Sequence, residues 1–310
     1  MIDILISLQG TILIYMFFGF ILKKNHMINE QASMFLSRFV LEFVLPINIF
    51  NSCIQSFTLD TLKSCIFVLL IAIVIEFVLY GFTKFNLLKV TEKQIKVIRY
   101  GLLVSNGGLI GTPVIEGLYG ASGVVYTNVF LVPMRILAYV AGEGIFDPNS
   151  KKKTLKQVVI NTITNKVVLA LVFGIILAAF NLQLPGFVKN AIGGVAKCMS
   201  PLSLILVGSI LADEVKFKFS EDIKIIGLSL IRQILIPIVL LVCLKFVDME
   251  PTVKSIMVLL VGMPIASTTA IYANKYHNEA GFASKAVFIS TITSTFTLIF
   301  VMFLIELFLI

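Results

Sequence analysis

The chain has 310 residues, of which 58% are hydrophobic and 14% charged, against about 45–50% and about 25% in soluble domains. At roughly 20 apolar residues per membrane-crossing helix, it holds material for about ten spans and little else, which excludes a sizeable soluble domain. The 25 basic and 17 acidic residues leave a net charge of +8; the basic ones lie in short gaps between apolar blocks, as in cytoplasmic loops, so they report orientation and not nucleic-acid binding.

Apolar runs separated by polar punctuation predict ten segments: about 4–22, 32–54, 62–83, 96–119, 122–146, 165–181, 188–211, 222–246, 252–275 and 280–308. The first follows an acidic start and ends in Lys23-Lys24 with no small-residue cleavage site, so it reads as a span and not a removable signal. The longest polar gap, Asp147-Pro148-Asn149-Ser150-Lys151-Lys152-Lys153, predicts a five-helix unit over 1–146, a cytoplasmic linker over 147–164 and a second five-helix unit over 165–310. Seventeen Lys and Arg residues follow odd-numbered segments, the last two being Lys275 and Lys285, and five follow even-numbered ones. Odd-numbered loops are thus expected in the cytoplasm and both termini outside, with Lys151 to Lys153 held at anionic lipid.

Sliding the sequence by 155 lays Phe18-Gly19 over Phe173-Gly174, Pro46 over Pro201 and Asn48 over Ser203; at 158, Gly123 and Val129-Phe130 meet Gly281 and Val287-Phe288. Because each half holds an odd number of spans, the second enters the membrane with opposite polarity, which predicts an inverted five-plus-five repeat.

The fourth segment reads Ser105-Asn106-Gly107-Gly108-Leu109-Ile110-Gly111-Thr112-Pro113, and the ninth Gly262-Met263-Pro264-Ile265-Ala266-Ser267-Thr268-Thr269. Gly and Pro in mid-span interrupt a helix, and backbone freed at that depth survives only when buried in protein or lining a wet cavity. Paired interruptions in two halves point to a transporter site, and opposed half-helix N-termini there favour an anion. The residues expected to bind it are Asn106, Gly107, Gly111, Thr112 and Pro113 of one interruption and Pro264, Ile265, Ala266, Ser267 and Thr268 of the other.

These residues resemble the auxin efflux carrier family, in its short bacterial-type form. Asn106 through Gly111 to Pro113 is similar to that family's N-x4-G-x-P signature. Met263-Pro264 with Tyr272-Ala273-Asn274-Lys275-Tyr276 resembles its ninth span and exit, and Leu45-Pro46 and Ser200-Pro201-Leu202 its second and seventh spans. The resemblance implies an all-α integral membrane protein of ten helices with the sodium/proton antiporter-like fold, spans 1, 2, 6 and 7 as scaffold and spans 3–5 and 8–10 as a mobile transport unit. It also implies that the fourth and ninth spans cross at their prolines, that Asn48 faces the substrate from the scaffold, and that spans 2 and 7 form a homodimer face. The expected activity is elevator-like carriage of a small organic anion, such as a carboxylate, across the plasma membrane. The long cytoplasmic loop of plant members is absent.

Glu42, Glu76, Glu143, Arg38, Arg135 and Arg232 fall within or near spans, where a lone charge costs at least about 2.5–3.5 kcal/mol. Arg38 and Glu42, four apart, can pair on one helix face. Glu76 either carries a proton during transport or pairs with Arg135 or Arg232. Each of those arginines either grips a carboxylate or packs against a glutamate. Thr291, Thr293, Ser294, Thr295 and Thr297 either line a pathway or pack between helices.

Two rivals remain. Gly120-Ala121-Ser122-Gly123 matches the GxSG pattern of intramembrane serine hydrolases, but a nucleophile needs a base within reach. His26 and His277 are expected in cytoplasmic loops, whereas Ser122 falls in an outside turn. An anion channel is the second rival, though one broken pair per chain suits alternating access better. Cys53, Cys65, Cys198 and Cys243 form no CxxC, have no His at zinc-site spacing and read as reduced, packed thiols. No metal or cofactor is expected.

Overall fold

A computed structural model describes residues 2–56, 59–84, 90–147, 151, 153–180, 182, 184–212 and 219–309, without the side chains of Ser56, Leu59, Asp60, Ala141, Glu143, Phe219, Ser220 and Glu221. Pro148, Asn149, Ser150, Lys89, Lys152, Lys216, Lys218 and the Glu143 side chain therefore lie outside the described residues.

The described chain is helical throughout, in the order α1 (Ile2–Lys24), α2 (Glu30–Phe39), α3 (Leu45–Ser56), α4 (Leu59–Phe82), α5 (Glu92–Leu103), α6 (Thr112–Phe146), α7 (Leu155–Ile163), α8 (Lys166–Ala179), α9 (Gly186–Lys197), α10 (Met199–Leu211), α11 (Phe219–Leu230), α12 (Ile236–Lys245), α13 (Pro251–Val261), α14 (Thr268–Lys275) and α15 (Ala280–Phe308). Among the described residues, seven helices are long and apolar enough to cross a membrane, or eight when the bent pair α7 and α8 counts as one. Their outward faces carry Phe17, Phe67, Phe77, Phe173 and Phe296, more than half exposed, as helices in contact with lipid do.

The fourth expected segment is split by the non-helical residues 104–106, and its second part runs on into the fifth as α6, which turns at Gly120. Its φ of +64° is open to glycine, and Gly123 is folded back against Ile115 and Tyr119. The ninth expected segment is split into α13 and α14 by a non-helical stretch. The linker holds an unforeseen helix, α7, capped by Thr154 and Gln157 and bent by 57° from α8. Leu155, Val159, Ile160 and Ile163 make one exposed apolar face beside Lys153 and Lys156, the pattern of a helix lying in the membrane interface.

Three π-turns, Val40–Val44, Gly107–Gly111 and Ile231–Leu235, each end two residues before a proline: Pro46, Pro113 and Pro237. Proline offers no N–H and crowds the carbonyl four residues back, so the ladder widens before it.

Two contacts use the glycines related by the offset of 155. Gly19 of α1 leaves no room for a Cβ, which would stand 1.9 Å from the Ile205 carbonyl oxygen of α10. Gly208 of α10 returns the same contact, 1.9 Å from the Met16 carbonyl oxygen. Gly174 of α8 meets Cys53 of α3, 2.6 Å from its Cβ. Small residues here let helix backbones approach closely, the usual means of packing helices in lipid.

Cys53 and Cys65 are buried thiols as expected, but Cys198 and Cys243 are exposed, a correction to the reading of all four as packed. Lys285, counted above as a loop residue, is instead buried in α15, 3.0 Å from the Asp222 carboxylate of α11. An ion pair that deep stands in for the water both groups have lost.

Candidate functional site

The two interruptions meet. Ser105 and Ile265 pair as an isolated antiparallel β-bridge: the Asn106 N–H donates to the Pro264 carbonyl at 2.8 Å and the Ala266 N–H to the Val104 carbonyl at 3.2 Å. Backbone freed from two helices is thus satisfied by exchange between them. The crossing lies at 104–106 and 264–266, so Pro264 is in it, but Pro113 is not. Pro113 sits at the second position of α6, behind the π-turn Gly107–Gly111 that accommodates its missing N–H and its ring, and the glycines before it supply the break.

Glycine is required at two points for close approach. A Cβ on Gly107 would stand 2.7 Å from Leu131 Cδ2, and one on Gly111 3.1 Å from Leu260 Cδ2. Asn106 Nδ2 donates to Ser267 Oγ at 3.3 Å, and Thr112 Oγ1 to the Gly107 carbonyl at 3.4 Å. Asn106, Thr112, Ile265, Ala266 and Ser267 are all buried.

Helices begin immediately after the crossing, α6 through its π-turn and α14 at Thr268. The N–H groups of Gly107, Gly108 and Leu109, and those of Ser267 and Thr268, have no acceptor among the described residues. These are the orphan donors and positive dipole ends of two helix starts, which the contact between Asn106 and Ser267 holds side by side.

Arg232 fastens the crossing from α11 and α12. Its Nε donates to the Met263 carbonyl at 3.2 Å and its Nη1 to the Leu102 carbonyl, one acceptor from each interrupted span. Buried and committed to these carbonyls, it is a packing residue here and not a free anion grip. Its neighbour Gln233 donates to the Ser290 carbonyl at 2.6 Å and accepts from Thr293 and Thr297, each at 3.0 Å. Ser290 Oγ in turn accepts the Ile265 N–H at 3.2 Å. The hydroxyls of α15 thus pack between helices: Thr293 and Thr297 serve Gln233, while Thr291 and Ser294 bond back to their own helix.

Arg135 does not reach the crossing; both its Nη atoms turn back on Asn128, at 3.4 Å to the carbonyl and 3.0 Å to Oδ1. Glu76 is buried in α4, within electrostatic range of Arg232, and its Oε2 has no hydrogen-bond partner among the described residues. Arg38 pairs with Glu42 at 3.2 Å as expected, and Lys166 of α8 joins it at 2.6 Å.

Asn48 meets a residue the sequence reading passed over. Its Nδ2 donates to Glu116 Oε1 at 3.0 Å and reaches the Ala196 carbonyl at 3.4 Å, while Ser200 Oγ donates to Glu116 Oε2 at 3.5 Å. Glu116 stands three residues after Pro113, near the end of an apolar run, where a carboxylate reads as loop edge. Its signal was its place one turn beyond Pro113, in the half-helix that starts at the crossing. Beside Asn48, a cavity of about 400 Å³ opens between α3 and α9, lined by Asn51, Gln55, Lys189, Asn190, Gly193 and Lys197.

A family model described as membrane transport protein matches residues 10–302. The chain belongs to the auxin efflux carrier family. It is therefore a multi-pass membrane protein of a transporter family, as its apolar helices indicate. No curated protein matches the chain. As a family member it carries the signature at Asn106, Gly111 and Pro113, with its asparagine at the crossing itself. The remaining sequence motif, Gly120 to Gly123, is the reversal within α6, where Ser122 Oγ donates to the Tyr119 carbonyl at 3.1 Å. Both histidines are exposed. Among the described residues no three His, Cys, Asp or Glu side chains converge as a metal site.

An aromatic cluster joins α5, α6 and α14, with the Phe146 and Tyr272 rings stacked and Tyr100 tilted against both. Tyr100, Phe146 and Tyr272 lie with centroids 5.3–6.0 Å apart, and the Tyr100 hydroxyl is 3.2 Å from Thr268 Oγ1.

Proposed function

We propose that the protein is a carrier of a small organic anion, a carboxylate by preference, working by alternating access. The observation that carries this is the bridge between Ser105 and Ile265, with two helix starts and five unused amide N–H groups around it. Such a site suits a carboxylate, because the donors and dipoles are fixed beforehand and no buried cation has to be desolvated. Asn106, Gly107, Gly111, Thr112 and Pro113 would approach the anion from one half of the chain, and Pro264, Ile265, Ala266, Ser267 and Thr268 from the other. Asn48 would face it from the scaffold.

The reading extends to ten spans in an inverted five-plus-five repeat, with 1–146 and 165–310 as its halves. Spans 1, 2, 6 and 7 would stay fixed while spans 3–5 and 8–10 move as an elevator. The equivalent close contacts at Gly19 and Gly174 support the repeat, and the Arg232 and Gln233 bonds support movement of the crossing as one body. The basic loops support a plasma-membrane protein with both termini outside. Spans 2 and 7 are the proposed homodimer face. Glu76, beside Arg232, could exchange a proton with water during the cycle.

The test is uptake by proteoliposomes offered a panel of mono- and dicarboxylates, followed by counterflow. A carrier exchanges labelled for unlabelled anion against a gradient, whereas an open channel gives conductance without exchange. Conductance alone would replace this reading with the channel, and fluorophosphonate labelling lost on Ser122→Ala would replace it with a hydrolase.

A further inference from the structure

We propose that Glu116 is a proton-binding site that couples anion movement to the proton gradient, one proton travelling with each anion turnover. This rests on the carrier reading above and adds the coupling ion to it.

The first ground is place. Glu116 lies on α6 one turn beyond Pro113, so it moves with the crossing, yet its two carboxylate oxygens bind Asn48 of α3 and Ser200 of α10. In the proposed division, that contact joins the moving unit to the scaffold. It also sets a negative charge on the face that an anion at the Gly107–Leu109 amides must pass.

The second ground is an atom left over. Asn48 is fully buried, and its Oδ1 has no donor among the described residues. An ionised carboxylate only accepts, so it draws Nδ2 and leaves Oδ1 unsatisfied; a protonated carboxyl has one O–H to give. A half-turn of the amide then brings Oδ1 against that O–H, at the loss of the 3.4 Å bond from Nδ2 to the Ala196 carbonyl. The pair therefore has room for one more proton.

The third ground is that no cation bonds or pairs with Glu116 among the described residues. The groups facing Glu116 are uncharged: Asn48 from α3, Ser200 from α10, and Leu8 of α1 against the adjoining Gly117. Lys197 of α9 is exposed, and Glu306 of α15 takes the Ile2 N–H on the far side of Tyr119. The electrostatic partners of Glu116 are Asn48 and Ser200. Protonation removes the charge that repels the anion, and by linkage the anion raises proton affinity in the same ratio. It also turns two charge-assisted bonds to the scaffold into weaker neutral ones. The proton comes from water on one side, forms the O–H of Glu116, and leaves to water on the other.

The experiment compares wild-type protein with Glu116→Gln in proteoliposomes at zero potential, measuring counterflow and accumulation of the best anion of the panel. With the interior alkaline by one pH unit, the wild type should concentrate a monoanion by about tenfold. Glu116→Gln should show no such accumulation, and its exchange rate should no longer change with pH. Equal accumulation by the variant overturns the proposal, as does wild-type counterflow indifferent to the pH gradient; in both cases the carrier reading stands. Absence of counterflow in the wild type removes the carrier reading itself. Should Glu116→Gln be inactive, pH-difference infrared spectra of the purified proteins decide: a carboxylic C=O band present in the wild type and lost in Glu116→Gln supports the site, and an unchanged band overturns it.

Discussion

The backbone N–H of Asn106 and the carbonyl oxygen of Pro264 are 2.8 Å apart, a bond between two spans where each would otherwise bond to itself. The side chain of Asn106 is therefore not what closes the crossing. Its Nδ2 makes a separate, weaker contact with Ser267.

This separation makes Asn106→Ala informative. The main-chain bridge persists, and the lost side-chain bond is worth about 0.5–1.5 kcal/mol. We expect the variant to purify folded, with a melting temperature within a few degrees of wild type, while anion exchange falls at least about tenfold, the effect of roughly 1.4 kcal/mol. Exchange at the wild-type rate would remove Asn106 from the site.

Arg232 should behave in the opposite way. Arg232→Met leaves the Leu102 and Met263 carbonyls without donors, and each buried orphan costs about 1–3 kcal/mol. Arg232→Lys should not restore stability, because one ammonium on a flexible stem cannot reproduce a planar fork aimed at two acceptors. Thermal unfolding in detergent measures both. An unchanged melting temperature for Arg232→Met would mean that the two carbonyls find other donors.

How much of this was legible beforehand varies with the range of the interaction. The interruptions were visible because Gly and Pro act locally, on their own ladder. The same holds for the Arg38–Glu42 pair and for the reversal at Gly120. The exact crossing was not visible: proline marks where a helix can begin, and the extended residues lie before its first turn, so the segment around Pro113 was displaced from the true contact. Glu116 and Gln233 stayed hidden because their partners, 68 and 57 residues away or more, belong to other helices. Lys285 looked like a loop charge because a sequence shows the cation and not the depth of Asp222 facing it.

Two glycines of one helix separate close packing from helix propensity. Gly10 has nothing within 4 Å of a built Cβ, whereas at Gly19 the Cβ would meet the Ile205 carbonyl oxygen at 1.9 Å. Gly10→Ala should be neutral or stabilising by up to about 1 kcal/mol, from the lower chain entropy of Ala. Gly19→Ala must push α1 from α10 and should cost about 1–3 kcal/mol. Melting temperatures of the two variants give the comparison. Equal shifts would mean that the α1 and α10 contact is looser than its distances imply.

Two lysine ion pairs, Lys166–Glu42 and Lys285–Asp222, should respond differently to the loss of their lysines. Lys166 and Glu42 are 59% and 42% exposed, so water replaces each partner readily, and Lys166→Met should leave thermal stability nearly unchanged. Lys285 and Asp222 are 4% and 15% exposed. Removing the lysine strands a carboxylate with little water to solvate it, which costs about 3–5 kcal/mol in comparable buried pairs. Salt separates the cases further: raising it to about 0.5 M shortens the screening length to about 4 Å and weakens an exposed pair, but scarcely enters a buried one. Any small effect of Lys166→Met should therefore shrink in high salt, while the loss in Lys285→Met persists. A Lys285→Met protein as stable as wild type would place Asp222 in contact with water or with a second cation, and the buried pair would no longer hold α11 to α15.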